Sequence, residues 1–252
     1  MDDARRCLVT GAGRGIGAAV AKRLSAAGHR VALTSRSAGE LEALAAQLPG
    51  PSLIVPADVT DPEAVECAFA DVERAWGPVE VLVLSAGAGA SAPLRRTTDA
   101  DWQRMLDLNL TAPFRMLRRA VPGMVEQGFG RVVAIASMAA KQGEPYIAAY
   151  TASKHGLLGL VRAAAAELAT TGVTVNAVCP GFVDTPMTDV TIASISSITG
   201  RTPEQARKWL EGRQPIGRLI TPDEVADAVL LCVASAAITG QGINVDGGAV
   251  QS

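Results

Sequence analysis

Tyr150 and Lys154, in the stretch YIAAYTASKHGLLGL, stand four residues apart. On a helix that spacing puts both on one face. A lysine cation beside a phenol favours the phenolate, so the tyrosine pKa is expected to fall below its usual value of about 10. A tyrosine tuned in this way can exchange a proton with an oxygen that alternates between carbonyl and alcohol. Ser137 closes the apolar run RVVAIAS (131–137), and its hydroxyl suits polarisation of the same oxygen. Asn109 interrupts the apolar helical run MLDLNLTAP, where a buried amide needs partners. Singly, each also reads as an ordinary core tyrosine, a capping serine or a satisfied asparagine. Tyr146 is a rival phenol, but four residues beyond it stands Tyr150 rather than a lysine.

A second set of residues points to a phosphate. TGAGRGIG (10–17) carries Gly11, Gly15 and Gly17, with Ile16 where the last glycine of a G-x-G-x-x-G pattern would fall. The loop lies between an apolar run and an Ala-rich helical stretch. In that context glycines let backbone N–H groups approach a pyrophosphate at a helix N-terminus. A loop for NAD usually has an acid about 20 residues on, to hold the adenosine ribose. Here the second apolar run ends in Ser35-Arg36, with no acid before Glu40. An arginine there suits a 2′-phosphate, and Arg14 could reach the same group from the loop. The expected cofactor is NADP(H), with NAD(H) possible; a glycine-rich turn and two solvated arginines are the plain alternative. Asp58 and Val59 would then meet the adenine, although Asp58 in DVTD also suits a helix N-cap.

These residues need elements to position them. Runs at 7–10, 30–35, 52–58, 79–87, 131–137, 173–181 and 242–248 lack polar–apolar alternation, as strands buried on both faces do. Amphipathic stretches at 15–27, 38–48, 61–75, 99–127, 150–169 and 222–235 separate them. The alternation predicts a single α/β domain over 1–252, a Rossmann-like doubly wound parallel sheet of about seven strands. Residues 186–219 break the rhythm with Ser and Thr clusters and a helix entered by Thr202-Pro203-Glu204. An insertion beyond the carboxyl ends of the strands is expected to be a substrate lid, or else a plain surface excursion.

Composition narrows the class further. The 252 residues are 48% hydrophobic and 19% charged, with net charge −2, which suits a globular core and gives no field for nucleic acid or a membrane surface. Cys7, Cys67, Cys179 and Cys232 lie far apart and form no metal pattern, so free thiols in a reducing cytoplasm are expected. The first apolar run is too short for a signal peptide, and no stretch suits a membrane span.

Together, TGAGRGIG, Asn109, Ser137, Tyr150-x-x-x-Lys154, CPG at 179–181 and the closing VDGG resemble the classical short-chain dehydrogenase/reductase family. The resemblance runs from Cys7 to about Gly248. It implies that Tyr150 is the general acid/base, that Ser137 orients the substrate carbonyl and that Asn109 holds a water in a proton relay. It also implies that Lys154 holds the nicotinamide ribose, and that Pro180, Gly181, Val183 and Thr185 lie against the nicotinamide. Where the family usually has N-A-G, this chain has Ser85-Ala86-Gly87. The family is usually tetrameric.

Within it, the chain looks most like 3-oxoacyl-thioester reductases and 3-hydroxyacyl-CoA dehydrogenases, with the ketoreductases of aromatic polyketide synthesis as the alternative. A cofactor-binding protein without chemistry is the rival from another class; it would typically lose the Tyr or the Lys. Met138, Gln142, Met187 and Trp209 are expected around an apolar substrate pocket. Arg201, Arg207, Lys208 and Arg213 could meet the phosphates of coenzyme A, or simply form a solvated helix face.

Overall fold

Three of the apolar runs pair with one another before any long excursion: β1 (Arg6–Thr10), β2 (Arg30–Thr34) and β3 (Ser52–Ile54). In the computed structural model, which describes residues 4–251, they are joined by β4 (Val81–Leu84), β5 (Gly130–Ile135), β6 (Val173–Pro180) and β7 (Gly242–Val245). All pairings are parallel and the order is β3-β2-β1-β4-β5-β6-β7. The chain thus builds outward from β1 in one direction and, from β4 onward, in the other. Between β1 and β4 lies the switch point, where such sheets bind ligands beyond the strand ends.

Helices cover both faces, which is why the strands read as continuous apolar runs. In β1, Leu8 joins one core, built with α3 (Pro62–Trp76), α5 (Ala112–Glu126) and α6 (Ala148–Leu168) through Phe69, Met116 and Leu157. Its neighbours Cys7 and Val9 join the opposite core. There they meet α1 (Gly15–Ala26), α2 (Ala38–Ala45) and α9 (Pro222–Ala234) through Leu24, Leu41 and Val229.

The structure departs from the expected elements in three places. The runs at 52–58 and 79–87 shorten to Ser52–Ile54 and Val81–Leu84, their ends leaving the sheet to form loops at its carboxyl edge. The helical stretch 99–127 is not continuous. It divides into α4 (Asp99–Leu106) and α5, joined by a π turn at Asp107–Thr111 in which Ala112 N–H donates to Asp107 C=O, five residues back. Pro113 has no N–H for the Asn109 carbonyl, which helps loosen the helix at that point.

Third, the insertion holds two helices rather than one: α7 (Pro186–Thr199) precedes the expected α8 (Pro203–Glu211). Ile192 and Ile195 of α7 pack with Phe182, Ala206, Leu210 and Leu219 in a small core of their own. That burial overrides the weak helix preference of the Ser/Thr clusters.

Candidate active site

Lys154 leads into the site from the second turn of α6. It is almost fully buried, and its Nζ donates to the Ile135 carbonyl at the end of β5, 2.8 Å away. The same nitrogen lies 5.7 Å from the Tyr150 ring centre. Ser137 stands just beyond β5; its hydroxyl accepts from Ala139 N–H and is close enough to the Tyr150 phenol to lower its pKa. The strand end and the helix face therefore bring Ser137, Tyr150 and Lys154 onto one wall. Tyr146 stands apart from it. It is 66% exposed, takes the left-handed conformation (φ 70°), and its carbonyl accepts from Ala92 N–H at 2.7 Å.

The titration of the pair differs from the expectation. Burial pushes the Tyr150 phenol up, and the neighbouring Ser137 hydroxyl offsets this only in part. Burial also pulls the Lys154 ammonium down to about 8. Desolvation disfavours both charged forms and is the largest cause for each.

Asn109, fully buried in the π turn, is occupied by its own chain. Its Oδ1 accepts from Ala88 N–H, and its Nδ2 donates to Ala88 C=O at 3.0 Å and to Ser153 Oγ at 3.2 Å. Ser153 in turn donates to the Tyr150 carbonyl. The amide splices the loop after β4 to the catalytic helix. Gly87 fits beside it because a Cβ there would stand 3.1 Å from Asn109 Oδ1 and 3.6 Å from Lys154 Nζ.

On the other side of the switch point, Gly11 and Gly15 are left-handed (φ 62° and 58°). A Cβ on Gly11 would come within 2.9 Å of the Ala86 backbone, and one on Gly15 within 3.3 Å of the Thr185 methyl. Gly17 packs against the Gly11 carbonyl, and Ile16 packs against the α1-side core. Thr10 Oγ accepts from both Ser85 N–H and Ala86 N–H at 2.9 Å, so Ser85-Ala86-Gly87 is held through its backbone whatever the first side chain. At Gly11 and Gly17 the loop has no room for a side chain.

Arg14 and Arg36 are both exposed at this edge. Asp58 does not cap α3, whose cap is Asp61; it accepts from the Thr60 N–H and hydroxyl. Those bonds, with the nearby Arg36 charge, hold its carboxyl below the usual range. Val59 is buried in the core next to it. Beyond β6, Gly181 N–H donates to Val245 C=O, and Val183 pairs with Ile220. Thr185 precedes α7 and lies across from Gly15. The buried Gln214 clasps this segment, accepting from Phe182 N–H and donating to the Phe182 and Arg218 carbonyls.

The residues expected to touch substrate are less uniform. Met138 is buried, Met187 is half exposed, and Gln142 donates to Glu144. Trp209 on α8 is partly exposed, its ring 5.7 Å from the Arg201 guanidinium and 5.4 Å from that of Arg213. Arg213 forks onto both oxygens of Glu144 at 2.8 Å, and Arg207 pairs with Asp184 and Glu211. Thr10, Ser153, Glu144 and Gln214 escape a reading of the sequence because each acts through a partner distant in the chain. The one local sign is a polar residue inside an apolar run.

A doubly wound parallel sheet with a glycine loop at its switch point and a Ser–Tyr–Lys wall beside it defines a class of dinucleotide-dependent oxidoreductases. The chain belongs to the short-chain dehydrogenase/reductase family, and the family model described as enoyl-(acyl carrier protein) reductase matches residues 11–250. The 3-oxoacyl-[acyl-carrier-protein] reductase MabA of Mycobacterium tuberculosis is 41% identical over 246 residues, 97% of this chain and 92% of that one. D-beta-hydroxybutyrate dehydrogenase of Rhizobium meliloti is 34% identical, covering 97% and 98%. Among solved structures, a point variant of actinorhodin polyketide ketoreductase with NADPH superimposes with a TM-score of 0.95 at 39% identity, covering 99% of this chain and 98% of that one.

Proposed function

We propose that the protein is an NADP(H)-dependent ketoreductase acting on the 3-oxo group of an acyl thioester. The observation that carries this reading is the Ser137 hydroxyl beside the Tyr150 phenol, on a wall shared with Lys154. The glycine cradle, too tight for side chains at Gly11 and Gly17, fits a dinucleotide pyrophosphate, and the exposed Arg14 and Arg36 are the cations available to a 2′-phosphate. When bound, NADPH supplies the hydride. Tyr150, kept protonated by its burial, gives its proton to the carbonyl oxygen, and Ser137 donates a hydrogen bond to that oxygen. The Lys154 ammonium stabilises the phenolate left behind, and Asn109 positions the helix through Ser153.

The names of the relatives support a carbonyl substrate, and the actinorhodin likeness favours a second reading, a cyclic polyketide ketone. A coenzyme A ester would have to rely on Arg201 and Lys208, because Arg207 and Arg213 already have carboxylate partners. We further propose a cytoplasmic homotetramer, a reading supported by the half-exposed Trp102 and Phe114 on α4 and α5. NADPH oxidation measured against acetoacetyl-CoA, longer 3-oxoacyl thioesters and a bicyclic ketone separates the substrate readings. Tyr150→Phe is expected to lower kcat at least ~10²-fold, the usual scale for losing an acid catalyst. Near-wild-type turnover would overturn the mechanism.

A further inference from the structure

Arg14 does not stand alone at the glycine loop. Its guanidinium faces Glu40, with Nη1 3.7 Å from Oε1, both side chains being partly exposed. Glu40 sits in the first turn of α2, where Ser37 caps its N–H. From there its side chain lies across Gly13: a methyl on Gly13 would stand 2.6 Å from Glu40 Oε2 and 3.0 Å from its Cβ, with Ser35 Oγ at 3.2 Å. The missing side chain at position 13 is what lets the carboxylate lie down over the loop. The acid therefore sits among Gly13, Arg14 and Ser35, beside the end of β2, on the side of the loop where the adenosine ribose of a dinucleotide is expected.

We propose that Glu40 limits the protein's discrimination for NADP(H) over NAD(H) by holding Arg14 away from the 2′-phosphate. This rests on the NADP(H) reading given above. A 2′-phosphate can take Arg14 only by displacing Glu40 from it, and the displaced carboxylate stays close to the incoming dianion. A 2′-hydroxyl pays neither cost and can donate to the same carboxylate. Exposed ion pairs contribute little, so the effect is a moderate bias and not a block.

The experiment is calorimetric titration of the full chain with adenosine 2′,5′-bisphosphate, adenosine 5′-monophosphate, NADPH and NADH. The chains compared are wild type, Glu40→Gln, Arg14→Ala and the double variant. Glu40→Gln is expected to tighten adenosine 2′,5′-bisphosphate and NADPH by roughly three- to tenfold, while the monophosphate and NADH stay within about twofold or weaken. In the Arg14→Ala background the gain should shrink, since only the repulsion between carboxylate and phosphate is then relieved. Unchanged or weaker binding of the bisphosphate by Glu40→Gln overturns the proposal. So does a gain that persists undiminished without Arg14, since Glu40 would then repel the phosphate directly. The cofactor reading is tested separately by the wild type: tighter binding of NADH than NADPH sinks that reading, while the Glu40 effect is still read from the bisphosphate.

Discussion

Tyr150 and Lys154 share a wall but not a titration, and the difference sets a pH profile. Burial lifts the phenol and lowers the ammonium to about 8, so the lysine is the first of the two to lose its proton as pH rises. Carbonyl reduction needs the phenol protonated and the lysine charged; both conditions fail towards alkaline pH and neither fails towards acid. The kcat/KM for reduction, which reports the free enzyme, is therefore expected to fall above about pH 8. A profile flat to pH 10 would show that Lys154 keeps its charge despite its burial. The spacing of Tyr150 and Lys154 was readable from the residues alone. The direction of the pKa shift was not, because desolvation depends on what the fold places around the pair.

At the scale of elements, the insertion is tied down at several points, one of them beside the site. The fork from Arg213 to Glu144 joins the segment after α8 to the loop that leads into the catalytic helix. Glu144 is mostly covered, so the pair is less screened than an ordinary surface bridge. Arg213→Met is expected to speed amide hydrogen exchange across 186–219 and to raise KM more than it lowers kcat. Unchanged exchange there would show that the small core around Ile192 and Leu210 holds the insertion without the fork. The strand runs and the alternation of elements were legible because a parallel sheet demands unbroken apolar runs. The π turn and α7 were not. The first depends on Asn109 reaching Ala88, and the second on Ile192 and Ile195 finding Leu210 and Phe182, contacts that no local pattern announces. Arg14 and Arg36 were legible as candidates for a phosphate, while the Glu40 carboxylate facing Arg14 emerged only when the loop folded against α2.

At the scale of the whole molecule, the exposed apolar residues have a consequence for assembly. Trp102, Phe114 and Val125 on α4 and α5, and Leu231 on α9, are all at least 39% exposed. Burying such residues against second copies is favourable at about 25 cal/mol per Å² of apolar surface. Sedimentation equilibrium is expected to give four times the mass of one chain, and Trp102→Glu with Phe114→Glu should lower that mass. A wild-type monomer at micromolar concentration would overturn the homotetramer.

The strand order has a temporal meaning as well. β1 pairs with β2, and β2 with β3, from its own neighbourhood, but the other edge of β1 waits for β4, through pairings such as Cys7 with Val81. The crevice at the switch point therefore does not exist in either wing of the sheet. It opens only when two separately started pieces of sheet meet, a long-range closure of the kind that slows folding. A dinucleotide lying across that junction binds only the closed form. By mass action it then holds the two halves together in proportion to how far its concentration exceeds its Kd. The cofactor a cell keeps plentiful would thus act as a late partner in folding, and its supply would help set how much of the protein survives to work.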